Sequence, residues 1–370
     1  GSGTVPKKSD FAGGACGTVQ DVLGSLKASG KGGAFGLYAI QGCSPNRARG
    51  GSAYGGRFFV AGDDSRPFVA AETEWESRKE GDLAAYWPRS ELPFGFMTHS
   101  NNGGLPNHGF THWWTMFNAR QLLSNALILR AIQRVGGQKH RWEVREFVLA
   151  AFQQYVRNQS MFSFWHISYD KLAPALSNSN FPPKSNVIEV GVFPPMGYGP
   201  WTSTTAGLAD ALSWKAAPWD VVSNEFLSAN HPELRPLLTG KSEKTVIGDP
   251  CASGGTTELS CGSATELASK AEATYDLGIT DPPFGGLLHY SELSDFFYVW
   301  LRLVLKERYS DIFSAEYTPK TLEAVANRAR QPDDADAYYQ RLLTASWREA
   351  HRILKPAGIL AFTFHHSEDE

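Results

Sequence analysis

The sequence predicts an α/β protein with three parts: a small β-rich module, an insertion rich in helices and loops, and part of a parallel sheet at the C-terminal end. Three observations carry that prediction. From about Lys244, apolar runs such as TVIG, TYDLGIT and ILAFTF alternate with helical patterns, as parallel strands joined by crossover helices do. Between Phe110 and Gln159 apolar residues recur at helical spacing. Before residue 66, glycine-rich turns separate short strand-like runs such as FGLYAI and RFFVAG. The expected boundaries are 1–90 for the β-rich module and its connector, 91–240 for the insertion and 241–370 for the sheet-bearing part.

Each element has its own warrant. GDLAAYWPRSELPFG carries two prolines and reads as the connector. In FTHWWTMFNARQLLSNALILRAIQRVGG, Phe117, Leu122, Leu123, Ala126, Leu127, Leu129 and Ile132 share a helical face, with Gly136 and Gly137 as the stop. RWEVREFVLAAFQQYVRNQ reads as a second amphipathic helix, making a helical hairpin. Residues 177–235 lack clear periodicity and are rich in aromatics, which suggests a binding surface or a segment draped over another part. A helix is expected from Ser291 or Ser294, burying Leu293, Phe296, Phe297, Trp300, Leu301 and Val304. Asp336 to Leu354 forms the last helix, and ILAFTF the strand after it.

Composition narrows the function classes. With 42% hydrophobic and 20% charged residues, the 370-residue chain can bury a sizeable core. No window approaches ~18 consecutive apolar residues, so no membrane span is expected. Four cysteines without paired spacing point to a reducing, cytoplasmic setting rather than a disulfide framework. The formal net charge of -3 is no global signature of a nucleic-acid binder. Seven basic residues against two acidic ones from Arg120 to Arg157 nevertheless offer either a phosphate-facing surface or a solvated helix with snorkelling arginines. Eleven tryptophans raise a carbohydrate-binding reading, but the paired carboxylates it would need cannot be picked out.

The stretch that carries chemistry is TYDLGITDPPFGGLLHYSELSDFFYVW, residues 274–300. An apolar strand ends at Asp281, Pro282, Pro283 and Phe284. In an open α/β sheet, ligands bind beyond the carboxyl ends of the strands. Two prolines stiffen the turn and leave its carbonyl groups without local helix partners. Asp281 offers a carboxylate, Pro282 a carbonyl and Phe284 a flat apolar face. Two acceptors and a stacking ring suit a planar heterocycle with an exocyclic amine, which donates two hydrogen bonds while its lone pair attacks an electrophilic methyl group. The carboxylate favours the positive charge that develops on nitrogen. Tyr290 and Glu292, just past the loop, are expected to border the base.

This motif resembles the Asp/Asn/Ser-Pro-Pro-Tyr/Phe/Trp signature of amino-directed DNA methyltransferases. DPPFGGLLHYSELSDFFYVWLR, HGFTHWWTMFNARQLL, FWHISYDKLAPALSNSNFPPKS and LKPAGILAFTFHH are similar, more narrowly, to adenine-specific DNA methylases that contain a zinc ribbon. The resemblance covers the chain from about Phe11 onwards. It implies a partial Rossmann-like methyltransferase sheet, S-adenosylmethionine as cofactor, DNA as partner and adenine N6 as target. It also implies Asp281, Pro282, Pro283 and Phe284 as the catalytic loop, Gly262 and Ser263 beside the cofactor's adenine, and restriction or defence-system proteins as further partners.

The chain departs from that pattern in three places. Ser263 stands where many methylases carry an acid. GDPCASGGTTEL, residues 248–259, mimics the family's glycine-rich cofactor loop with Asp249, Pro250, Gly254 and Gly255. It stands too close to Asp281 for two further strands and their crossovers, each of ~10–12 residues or more. It therefore reads as a turn, and the cofactor loop is expected upstream of Gly1. Cys16 has Gly13 where the zinc ribbon has its paired cysteine, so no metal is expected. These departures motivate the rival reading of an inactive, methylase-like DNA-binding or scaffold protein. Among other candidates, His112, Trp113 and Trp114 read first as core aromatics. His166 and Asp170, at helical spacing, are a weak acid–base pair, and His365 and His366 are placed to line the functional end of the last strand.

Overall fold

The computed structural model of the chain describes residues 10–30, 35–44, 56–135, 141–169, 171–177, 179–184, 187–194, 199–223, 229, 232, 242–246, 258 and 260–363. Over these residues the protein is mixed α/β, made of helices and small sheets. Strands β1 (Asp10–Ala12) and β2 (Val19–Asp21) form an antiparallel hairpin, and helix α1 (Val22–Ser29) follows. The Asp21 carboxylate accepts from the backbone N–H groups of Leu23 and Gly24 and so caps α1. Strands β3 (Ala39–Cys43) and β4 (Arg57–Ala61) form a second hairpin. The β-rich character expected over 1–90 stops at Ala61. Beyond it, α2 (Arg66–Arg78) packs Trp75 edge-on against Trp87 at 5.5 Å, and Trp87 in turn meets Trp114 at 6.2 Å. Residues 66–90 thus share their core with the helical part.

Helix α3 (Ala119–Arg134) starts at a capping box, in which Asn118 and Gln121 each accept the other's backbone N–H at 2.9 and 3.0 Å. Helix α4 (Arg141–Asn158) returns against it as the expected hairpin; the Gly136-Gly137 stop lies outside the described residues. Strands β5 (Phe164–His166) and β6 (Lys171–Ala173) follow. His166 therefore sits on a strand, not a helix, and Asp170 lies outside the described residues. The stretch expected to be loop-rich contains α5 (Trp201–Ala216), opened by Pro200. Strand β7 (Trp219–Ser223) pairs antiparallel with β8 (Ser242–Val246), so the described half of the TVIG run, Thr245 and Val246, pairs with β7.

The C-terminal part runs β9 (Tyr275–Thr280), α6 (Tyr290–Leu305), α7 (Ser310–Phe313), α8 (Ala335–Ile353) and β10 (Leu354–Phe362). Strands β9 and β10 pair in parallel, with Leu277 opposite Ile359 and Thr280 opposite Phe362. The register shifts between Leu354 and Ile359, where Pro356 has no N–H for a ladder. Among the described residues this pair is the whole parallel sheet. One aromatic core joins α6 to the helical hairpin. Phe296 stacks on Phe117 at 5.8 Å, and Trp300 meets Phe117 at 5.3 Å and Phe152 at 6.0 Å. The expected division near residue 240 is therefore bridged by packing. No helix of the described residues is long and apolar enough to cross a membrane.

Candidate functional site

Strand β9 delivers its chain to Asp281, which is exposed at the strand's carboxyl end. The adjacent strand end fixes it: the Thr363 hydroxyl donates to Asp281 Oδ1, and the Thr363 N–H to the Thr280 carbonyl at 3.3 Å. Pro282 and Pro283 have no N–H to spend. The Pro283 carbonyl accepts from the Tyr339 hydroxyl at 2.9 Å, the Phe284 carbonyl from Leu287 N–H at 3.2 Å and the Gly285 carbonyl from Ala326 N–H at 3.1 Å. Of four successive carbonyls, only that of Pro282 accepts no hydrogen bond among the described residues. Phe284 is half-buried beside it, and Tyr290, 47% exposed, opens α6 just beyond.

Two glycines let this loop lie flat on the chain beneath. Gly285 takes φ +54°, and a Cβ at Gly286 would stand 2.8 Å from the Ala326 carbonyl oxygen. The chain beneath, residues 314–334, has no regular structure and is held by a buried polar network. Glu292, 1% exposed, accepts from Met97 N–H at 2.7 Å and from Asn327 Nδ2 at 2.6 Å. Glu323 caps α6 by accepting from the Ser291 N–H at 2.7 Å and pairs with Arg330 at 2.8 Å. His289, 2% exposed, lies 4.6 Å from the Phe96 ring, and burial holds its imidazole below the ordinary value. Glu292 thus corrects one expectation. It faces inward and braces the chain under the loop, whereas Tyr290 keeps an exposed ring.

No hydrogen bond or ring contact joins Gly262 or Ser263 to Asp281–Phe284 among the described residues. Among the described residues nothing stands within 4 Å of a Cβ built on Gly262. The Ser263 hydroxyl is engaged with Thr265 Oγ1 at 2.7 Å. The turn that follows docks on the end of α8. Leu267 N–H donates to Glu349 at 2.8 Å, and Arg352 donates to the Leu267 and Lys270 carbonyls. Arg352, and after it the Leu267 amide, hold the Glu349 carboxyl at about 2 against an ordinary 4.5. A lowered folded-state value gives stability that is present above 4.5 and lost as pH falls towards 2. Acid is therefore expected to release this turn across that window, seen as loss of exchange protection at the Leu267 amide. Glu349→Gln should remove the pH dependence; protection that persists unchanged to pH 2 would refute the coupling.

The arginines of the basic stretch are largely occupied. Arg120 pairs with Glu189 at 2.9 Å, Arg130 pairs with Asp82, Arg157 donates to the Ala175 carbonyl and Arg145 is fully buried. Of the two readings of this stretch, the phosphate-facing surface is not formed by these four. Trp113 is 1% exposed, which agrees with a core role, while His365, His366 and Asp249–Gly255 lie outside the described residues. A Cβ at Gly13 would stand 2.9 Å from Cys16 Sγ, and no cluster of three metal-ligating side chains occurs among the described residues.

No protein-family model, curated protein or solved structure matches the chain. A carboxylate and a carbonyl that accepts no hydrogen bond among the described residues stand at one stiff turn, with an aromatic ring next in sequence. Thr363, Tyr339 and Ala326, which hold that turn, had no local sequence signal. They come from 82, 56 and 41 residues away, and only the fold brings them in.

Proposed function

We propose that the chain acts as an S-adenosylmethionine-dependent DNA methyltransferase on an exocyclic amine, with adenine N6 as the target. One observation carries this reading: at the rigid turn at the carboxyl end of β9, the Pro282 carbonyl accepts no hydrogen bond among the described residues and stands next to the exposed Asp281 carboxylate. Together they accept both protons of an amine, while Phe284 stacks on the ring of a base flipped from the duplex. Hydrogen bonding to both protons directs the nitrogen lone pair away from the ring, and Asp281 stabilises the charge that forms on nitrogen. S-adenosylmethionine, when bound, supplies the electrophilic methyl group. The backbone at Gly262 and Ser263 is the surface assigned to it here. DNA contact is assigned to the insertion over 91–240, where Lys171 and Lys184 lie 5.1 and 3.9 Å from the Tyr169 and Phe164 rings.

The test is transfer of a tritiated methyl group to duplex DNA, followed by identification of the modified nucleoside. N6-methyladenine is the expected product, and absence of any labelled base would reject the reading. A second reading, an inactive methylase-like scaffold, is favoured by the engagement of the Ser263 hydroxyl with Thr265. Calorimetric titration with S-adenosylmethionine separates the two, since only the enzyme reading requires binding.

A further inference from the structure

Both acceptors of the proposed site are set by hydroxyl groups from one continuous unit, α8 followed by β10. Thr363, immediately past β10, donates to Asp281 Oδ1. Tyr339, in the first turns of α8, donates to the Pro283 carbonyl at 2.9 Å. Each donor occupies one acceptor and, among the described residues, leaves its neighbour: Asp281 Oδ2 in the first case, the Pro282 carbonyl in the second. We infer that Tyr339 and Thr363 are positioning residues that select which two oxygens receive the amine. The inference rests on the methyl-transfer reading for its substrate and on the Tyr339 and Thr363 contacts for its geometry.

A Pro-Pro turn has fixed φ at both residues, so its main freedom is rotation of the peptide planes about ψ. A donor on the Pro283 carbonyl fixes the plane that follows Pro283. The bond from Ala326 to the Gly285 carbonyl fixes a second plane two residues on. With these held, the Pro282 carbonyl has one direction, and the acceptor needs no reorganisation when the base arrives. On the other flank the Thr363 hydroxyl restricts rotation of the Asp281 carboxylate, so Oδ2 is presented in a fixed plane. Trp347 on α8 and Phe362 on β10, with ring centres 4.9 Å apart, lock helix to strand and keep the two hydroxyls in register.

Tyr339→Phe and Thr363→Val remove one donor each with little change of volume, and Thr363→Ser keeps the donor. The expected result is a fall in kcat of about tenfold for the first two, with KM for DNA and the melting temperature unchanged. Thr363→Ser should retain the parental kcat. A structural role alone would lower the melting temperature and would not distinguish Ser from Val by kcat at fixed KM. Amide exchange at Leu287, whose N–H closes the loop on Phe284, gives a readout that needs no catalysis. Tyr339→Phe should raise it. Failure of the parental protein to transfer methyl would reject the substrate assignment while the exchange arm still tests the brace. Unchanged exchange in Tyr339→Phe, or parental kcat in both Tyr339→Phe and Thr363→Val, would overturn the inference.

Discussion

Asp281→Ala is expected to slow methyl transfer by about 10²–10³-fold, the cost of losing one preorganised group aimed at developing charge. The substitution removes the carboxylate acceptor and leaves the Pro282 carbonyl to hold the amine alone. Because Asp281 is exposed and its described side-chain contact is the one with Thr363, the fold should tolerate the change to within ~0.5 kcal/mol. S-adenosylmethionine binding should persist, since no described contact links Asp281 to Gly262 or Ser263. Asp281→Asn should fall between the two, because an amide oxygen can still accept but carries no charge to offset that on nitrogen. Single-turnover transfer of the tritiated methyl group is the measurement. Parental rates in Asp281→Ala, with a bound and folded enzyme, would remove this carboxylate from the chemistry.

The parts of the fold that were legible in the sequence are those governed by periodicity. Helices α3 and α4, the strand into Asp281 and the final helix and strand follow from spacing of apolar residues, and each lies within a few residues of its expected place. What spacing could not show is where polar residues are buried. Helix α6 was expected to bury Leu293, Phe297 and Leu301, yet these are half-buried, whereas Glu292 and Asp295 are among its most enclosed side chains. The reason is distant: Asn327, Thr318 and Lys320 satisfy those carboxylates from the irregular chain of 314–334. A carboxylate at a helical position looks solvated until its partner is known. In the basic stretch the partners were hidden in the same way, since Glu189 and Asp82, which pair with Arg120 and Arg130, are supplied from outside it. For the site itself, the acceptors of the turn were legible because proline and aspartate carry their chemistry locally. Their orientation was not, because hydroxyl groups far along the chain determine it.

Lys320→Met is expected to destabilise the protein by about 3–5 kcal/mol, the cost of leaving a buried charge without its partner. Asp295 is fully buried, and Lys320 Nζ donates to its Oδ2 at 2.6 Å. Thr318 supplies Oδ1 with a backbone N–H at 2.8 Å and a hydroxyl at 2.7 Å. Burial still pushes the Asp295 carboxyl above its ordinary value, although Lys320 and Thr318 oppose that push. A folded-state value raised above the unfolded one gives stability that is present at low pH and lost as pH rises through it. Without Lys320 the upward push is stronger, so the deficit of Lys320→Met should be largest near neutrality and shrink on acidification towards pH ~4. Urea midpoints across pH measure this, and adding Asp295→Asn to Lys320→Met should recover much of the loss. An unchanged midpoint at neutral pH would mean that water, not Lys320, satisfies the carboxylate. The consequence reaches the turn at Asp281, because the segment that carries Lys320 also carries Ala326, whose N–H holds the Gly285 carbonyl. The buried pair therefore stabilises the floor on which the Asp281–Phe284 turn rests, and Lys320→Met should raise amide exchange at Leu287 even where the rest of the core stays folded.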